Sequence, residues 1–258
     1  MTERQTTRPQ GTQMIDRTVA LMRLVATYCP TGVRLTDLAE ESGLPAPTAR
    51  RILKRLVDHG LIAQDAGKHR YSLGRLAAEL ALSASHVTIE KSHYRPLVEA
   101  IGRATGDTVY LLLRSGFDSV CADRYDVDPA LCPSTLRIGD RLPLGVGVGG
   151  MALLAALPPD ETERVIEANR LVYRRFRRAV SSSFRDNVDL ARATGQVVRR
   201  SPVTPGVIGF GMVLPNRGAI PYAAISGATR AENFAEPRRA EILATMRDLI
   251  DRYEPLHS

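Results

Sequence analysis

Between residues 42 and 60 the apolar and polar positions separate onto two sides of a single helix. The stretch reads SGLPAPTARRILKRLVDHG. At about 100° per residue, with Arg50 set at 0°, Lys54, Pro47, Arg51 and Arg55 fall within about 140° on one side. Ala49, Ile52, Leu53, Leu56 and Val57 occupy the sector between about 200° and 340°. A helix starting at about Pro45 places both Pro45 and Pro47 in its first turn, where backbone N–H groups have no acceptor within the helix. Gly60 supplies the stop.

Upstream, apolar residues at 15, 19, 22 and 26, with Leu21 and Val25 on the same side, predict a one-faced helix ending near Cys29-Pro30. The next segment, LTDLAEESGL, predicts a two-turn helix with Thr36 as N-cap, Asp37, Glu40 and Glu41 behind it, and Gly43 as its end. A short helix, a glycine-containing turn and a helix with a basic outer sector describe a helix-turn-helix. Two strands, LIAQ and HRYSL, then flank DAGK as a wing with Lys68, His69 and Arg70 at or near its tip. The plainer alternative is a helical pair with a solvated basic face. The coincidence of all four features favours the DNA-binding reading.

Residues 75–92 predict a linking helix, and 93–258 alternate helices with strands. Pro96 to Thr105 is helical. TVYLLLR and SVCADRY are strands around SGFD, MALLAALPPDETERVIEAN and DNVDLARATG are helical, and GVIGFGMVL and IPYAAIS are strands around Asn216-Arg217-Gly218. Pro237 to Tyr253 closes the chain as a helix. This order predicts an α+β fold, a sheet with helices packed on it.

Charge sharpens the division. The 258 residues carry a formal net charge of +7 and a pI near 9.7. Residues 1–75 hold 12 Lys/Arg against 7 Asp/Glu, whereas the remainder holds 23 against 21. A basic head on a nearly neutral body suits a nucleic-acid-binding module joined to another domain. Cys29, Cys121 and Cys132 form no CxxC pattern, which argues against a disulfide framework or a zinc site. The polar start, residues 1–12, reads as a mobile tail without a signal peptide, and no apolar run approaches membrane-spanning length. A cytoplasmic protein with no membrane partner is expected.

Catalytic patterns are poorly represented. The sequence contains no GxSxG, HExxH or Walker loop, and its five histidines are scattered. Cys121 sits in an apolar strand and is expected to pack. GVGVGG, Gly145 to Gly150, formally satisfies GxGxxG, but its lead-in is short, contains Pro143, and lacks the strand–helix–strand context of a dinucleotide site. Its glycines still allow backbone N–H groups at a helix N-terminus to approach an anion. No cofactor and no metal are expected. YRRFRR, Tyr173 to Arg178, reads as a solvated basic surface. The rival readings are an α+β enzyme carrying a winged-helix regulatory head, and an architectural DNA binder without a ligand.

The stretches IDRTVALMRLV, LTDLAEESGLPAPTARRILKRLVDHGLI and HRYSLGRL resemble the IclR family of bacterial transcription regulators. The resemblance continues through HYRPLVEAIGRATGDTVYLLLRSG, RIGDRLPLGVGVGGMALLAALPPDE and PGVIGFGMVLPNRGAIPYAAISGATR, from about residue 14 to 250. It implies a winged helix-turn-helix over 13–74, a linker helix over 75–92, and a GAF-like α/β effector-binding and oligomerisation domain over 93–258. It also implies a small effector, often an organic acid, and a dimer of dimers. Carried over by position, Val148 and Gly149 offer backbone groups, Leu142 and Leu144 form walls, and Gly209 and Ser226 face the pocket from strands. Plain core is the competing reading for Leu144 and Val148.

The chain departs from the family at several positions. Ala46 and Pro47 replace a usual Lys-Ser pair, and a His often lies near Arg50, so the family's base preference does not carry over. Gly145 stands for a usual His and Met151 for a usual Lys. Where the family commonly has several Asp/Glu, this chain has Arg199, Arg200, Ser201 and Thr204. An inward-facing arginine there would pair bidentately with an effector carboxylate, and outward-facing ones would form a solvated edge.

These readings converge on a ligand-responsive regulator, with repression adopted as the direction. Pro47, Thr48, Arg50, Arg51 and Lys54 are expected nearest the DNA, the arginines reading guanine edges. Arg17, Arg55, Lys68, His69 and Arg70 are expected on phosphates. One head of this size binds weakly, so a homodimer on a pseudo-palindromic operator is expected, or the homotetramer implied by the resemblance.

Overall fold

The computed structural model describes residues 10–28, 31–65, 67–83, 85–127, 136–176, 180, 183–201, 204–216 and 220–253. Cys29, Cys132, Arg177, Arg178, Arg217, Gly218 and most of the N-terminal tail lie outside them. The chain divides into two units, Met1–Thr88 and Ile89–Ser258.

In the first unit, α1 (Gln10–Thr27) is followed by β1 (Val33–Arg34), α2 (Leu35–Ser42), α3 (Ala46–Asp58), β2 (Ile62–Asp65), β3 (Arg70–Leu73) and α4 (Arg75–Ser83). The apolar sector of α3 is buried at Ala49, Ile52, Leu53 and Leu56, against Leu21 and Val25 of α1 and Leu38 of α2. Leu53 is fully enclosed, so its truncation to Ala would cost roughly 2–5 kcal/mol. The sheet order is β1-β3-β2, antiparallel throughout. β1 is a strand that the sequence pattern missed, because two residues are too few to show a period.

Several local expectations need correction. Pro45 lies outside α3 as its N-cap, and its carbonyl accepts from Thr48 and Ala49 N–H at 2.9 and 3.0 Å; Pro47 occupies the first turn. Thr36 does not cap α2, which begins at Leu35 behind Arg34; its hydroxyl instead donates to Asp37. Gly43 ends α2 as expected, with φ 67°. On α1, Leu21 and Val25 are buried, but Ile15 and Val19 are 63% and 40% exposed, so only the C-terminal half of the stripe meets this core. Gly60 and Gly74 draw the end of α3 and the end of the wing together. A Cβ at Gly74 would lie 2.2 Å from the Gly60 carbonyl oxygen, a contact only glycine permits.

The described residues among 75–92 are all helical. They fall in α4 and the opening turns of α5 (Ser85–Thr105), with residue 84 outside the described residues.

The second unit continues with β4 (Thr108–Ser115), β5 (Asp118–Tyr125), β6 (Arg141–Pro143), α6 (Val148–Ala155), α7 (Pro159–Tyr173), α8 (Phe184–Thr194), β7 (Val197–Arg200), β8 (Val207–Val213), β9 (Ala223–Arg230) and α9 (Arg238–Asp251). The sheet runs β6-β5-β4-β9-β8-β7, and every neighbouring pair is antiparallel. Alternation along the strands serves two cores. Tyr110, Leu112, Ala224 and Ala228 face a cluster containing α6, α7 and α8, whereas Val109, Leu111, Phe210 and Ile225 face one containing α5 and α9.

Candidate DNA interface and effector cavity

The outer row of α3 is the strongest electrostatic feature of the first unit. Arg50, Arg51 and Lys54 are exposed and have no hydrogen-bond or ion-pair partner among the described residues. Arg55 differs, because its Nη1 contacts Asp58 at 3.2 Å and its Nη2 lies 3.2 Å from His59 Nε2. Pro47 is exposed, while Thr48 and Arg17 are half-buried. The apolar sector behind the row is fixed in the core, so these cations are held outward.

The wing tip is organised by Asp65. Its Oδ1 accepts from the N–H groups of Gly67 and Lys68, both at 2.9 Å, and its carbonyl accepts from His69 N–H at 2.9 Å. Those two backbone donors hold the Asp65 carboxyl below the usual carboxylate range. Lys68 and His69 are exposed beyond this turn. Arg70 opens β3 beside the tip. It pairs with Asp65 across the strands and turns back so that Nη1 donates to the Gly32 carbonyl at 2.7 Å.

In the second unit, a cavity of about 80 Å³, partly open to solvent, lies between the sheet and the first turn of α6. Leu142, Val148, Gly149, Arg199, Arg200, Gly209 and Ser226 line it. Leu144 does not. The backbone turns after it at Gly145 (φ 90°), its side chain is fully buried in the core, and its carbonyl accepts from the Tyr173 hydroxyl at 2.6 Å. Tyr110, Leu112, Ser119 and Val146 also line the cavity and were missed, since a core-facing strand residue and a cavity-facing one share the same period.

The two arginines of β7 differ. Arg199 pairs across the strands with Gly209, on the sheet face that carries Val197 and Val207 into the α6-side core. It is half-buried, and its Nη1 donates to the Gly145 carbonyl at 3.3 Å. Burial presses its guanidinium below the usual arginine value. Arg200, the next residue, is exposed at the rim. The described lining holds these two cations and no Asp or Glu. The first turn of α6 borders the same space, adding N–H groups that have no acceptor within the helix.

YRRFRR is not a uniformly solvated run. Tyr173 is buried against Phe184, and Phe176 packs on the same core.

Comparison with known proteins agrees with both halves. Residues 14–66 match the IclR helix-turn-helix domain, and residues 81–252 match the bacterial transcriptional regulator IclR C-terminal domain. The chain belongs to the IclR family. An HTH-type transcriptional regulator of Mycobacterium tuberculosis is 30% identical over 250 residues, covering 95% of this chain and 92% of that one. Among solved structures, an IclR transcriptional regulator from Silicibacter superposes with a TM-score of 0.75 at 18% identity, covering 95% of this chain and 98% of that one. An IclR homologue from Microbacterium hydrocarbonoxydans, complexed with 4-hydroxybenzoate, gives a TM-score of 0.66 at 19% identity, covering 92% and 98%. Both share the fold of this chain. IclR-family members are DNA-binding transcription regulators rather than enzymes, and they bind small-molecule effectors. The antiparallel sheet excludes a dinucleotide fold for GVGVGG, because that fold needs parallel strands joined by a crossover helix. No helix of the described residues is long and apolar enough to cross a membrane.

Proposed function

We propose that this protein is a cytoplasmic repressor that holds a pseudo-palindromic operator as a homodimer or a dimer of dimers and senses a small organic acid. Residues 13–74 bind DNA, 75–92 link, and 93–258 bind effector and assemble the oligomer. α3 enters the major groove with Pro47, Thr48, Arg50, Arg51 and Lys54 nearest the DNA, its two arginines reading base edges, and Arg17, Arg55, Lys68 and His69 contact phosphates. Arg70 contributes to the phosphate contacts while braced on Gly32. The acid seats its carboxylate on Arg199, with Leu142, Val148, Gly149, Gly209 and Ser226 around its body and Arg200 at the mouth.

One observation carries the effector assignment: a half-buried guanidinium stands in a cavity whose described lining has no Asp or Glu. A bound carboxylate would add charge-assisted hydrogen bonds to this guanidinium beside its bond to the Gly145 carbonyl. The 4-hydroxybenzoate held by the Microbacterium relative supplies a first probe.

The test titrates wild type and Arg199→Gln with 4-hydroxybenzoate and short aliphatic acids, each beside its neutral amide. Melting temperature and occupancy of a DNA fragment selected from random sequence are followed together. At least one acid, and no amide, should raise the melting temperature and lower DNA occupancy, and Arg199→Gln should lose both responses. Acids and amides acting alike, or an unaltered response in Arg199→Gln, contradicts the proposal.

A further inference from the structure

β5 serves both layers of the second unit, and a bulge makes this possible. Its pairing with β4 runs in register from Ser115↔Asp118 to Leu112↔Cys121, then shifts, so that Leu111 pairs with Asp123. Ala122 is the extra residue. In an uninterrupted strand Cys121 and Asp123 would face the same side. The bulge rotates the strand so that they do not.

The consequences are visible on either side of it. Before the bulge, Ser119 lines the cavity, donates to the Leu142 carbonyl at 3.3 Å, and packs on the first turn of α6 at Gly150. Cys121 is fully buried in the α6-side core. After the bulge, Ala122 and Tyr125 join the core containing α5 and α9. Asp123, 1% exposed, accepts from Arg95 Nη1 of α5 at 3.0 and 3.1 Å. The same nitrogen donates to the Arg124 carbonyl at 2.9 Å, and Arg95 Nε donates to Glu99 at 2.7 Å. Tyr125 lies against Gly102, one helical turn from Glu99, with the Arg95 and Arg103 guanidinium carbons 5.8 and 6.0 Å from its ring centre.

One half of β5 therefore forms the cavity wall, and the other half clamps α5 from residue 95 to 103. α5 is also the helix in which the chain passes from the first unit to the second, since the division falls between Thr88 and Ile89.

We infer that the bulged strand β5 relays occupancy of the cavity to α5, with Arg95 as the positioning residue that couples them through Asp123. The inference rests on reading the cavity as the effector site. Pressure on Ser119 or on the first turn of α6 displaces a strand that pivots at Ala122, and the pair of enclosed Asp123 with half-exposed Arg95 carries that displacement into the helix. The pair suits this role because two Arg95 Nη1 hydrogen bonds and the enclosure of Asp123 fix the guanidinium on the strand.

The experiment needs no ligand, so its outcome is separable from that of the acid titration. Ala228→Leu, on the sheet floor, fills the cavity from β9, a strand that does not neighbour β5. Hydrogen exchange of the full chain is then read at residues 95–105, with and without the filling substitution, in wild-type, Arg95→Gln and Arg95→Lys backgrounds. Filling should change exchange there by about threefold or more in wild type, leave it unchanged in Arg95→Gln, and act to an intermediate extent in Arg95→Lys. Should Arg95→Gln fail to fold, the paired change Arg95→Met with Asp123→Leu removes the link without leaving a buried charge. Should Ala228→Leu fail to fold, Ser226→Val supplies the filling group. Equal responses with and without the pair, or no response in wild type, overturns the inference.

Discussion

Arg199 and Gly209 are cross-strand partners between β7 and β8, and the missing side chain at Gly209 leaves room for Val148 of α6 over the floor of the cavity. A Cβ at Gly209 would already stand 3.0 Å from Val148 Cγ1. Gly209→Val should therefore push α6 off the sheet, lower the melting temperature by several degrees for a cost of roughly 1–3 kcal/mol, and abolish the shift produced by organic acids. Differential scanning fluorimetry with and without acid checks this. A variant with wild-type stability and response would remove Gly209 from the site.

Lys54 stands in the unpaired basic row of α3, and its contribution should appear as salt dependence. If each head neutralises roughly 4 phosphates, binding of a dimer should fall with a log–log salt slope of about −7. Lys54→Ala should flatten that slope by about 2, one released counterion for each head, while affecting different DNA sequences alike. Fluorescence anisotropy across a salt series measures it. An unchanged slope would take Lys54 off the phosphate backbone.

Tyr173 ties α7 to the loop before α6 through its bond to the Leu144 carbonyl. Burial raises its phenol to about 12. The folded state thus holds this proton more tightly than the unfolded chain, whose phenols titrate near 10. The stabilisation is complete below about pH 10 and is lost as pH rises towards 12, amounting to roughly 2–3 kcal/mol at most. Urea melts between pH 8 and 11 should show Tyr173→Phe less stable at pH 8 and the gap closing with rising pH. A gap that widens would reverse the assignment.

Much of this architecture was legible where a period was long enough to measure. The thirteen residues of α3 carry almost four turns of alternating sectors, so the buried and exposed faces could be assigned residue by residue. The division between Arg199 and Arg200 was not legible, because β7 contributes only four residues and its inner face depends on which strand it joins. Leu144 failed for a related reason. It follows a three-residue strand and precedes a left-handed glycine, so the carry-over by position that holds for Leu142 does not hold for it. The pivot in β5 was invisible too, since a bulge is a relation between two strands and neither sequence carries it alone.

DNA binding by this protein requires α3 to present its outward cations to a duplex, and equilibrium binding of Arg50→Ala with Arg51→Ala to the selected DNA fragment tests this most directly. With folding verified by circular dichroism, the double variant should bind about tenfold to a hundredfold more weakly than wild type at the same salt concentration and lose discrimination between the selected fragment and random DNA. Wild-type affinity and discrimination in the double variant would contradict it.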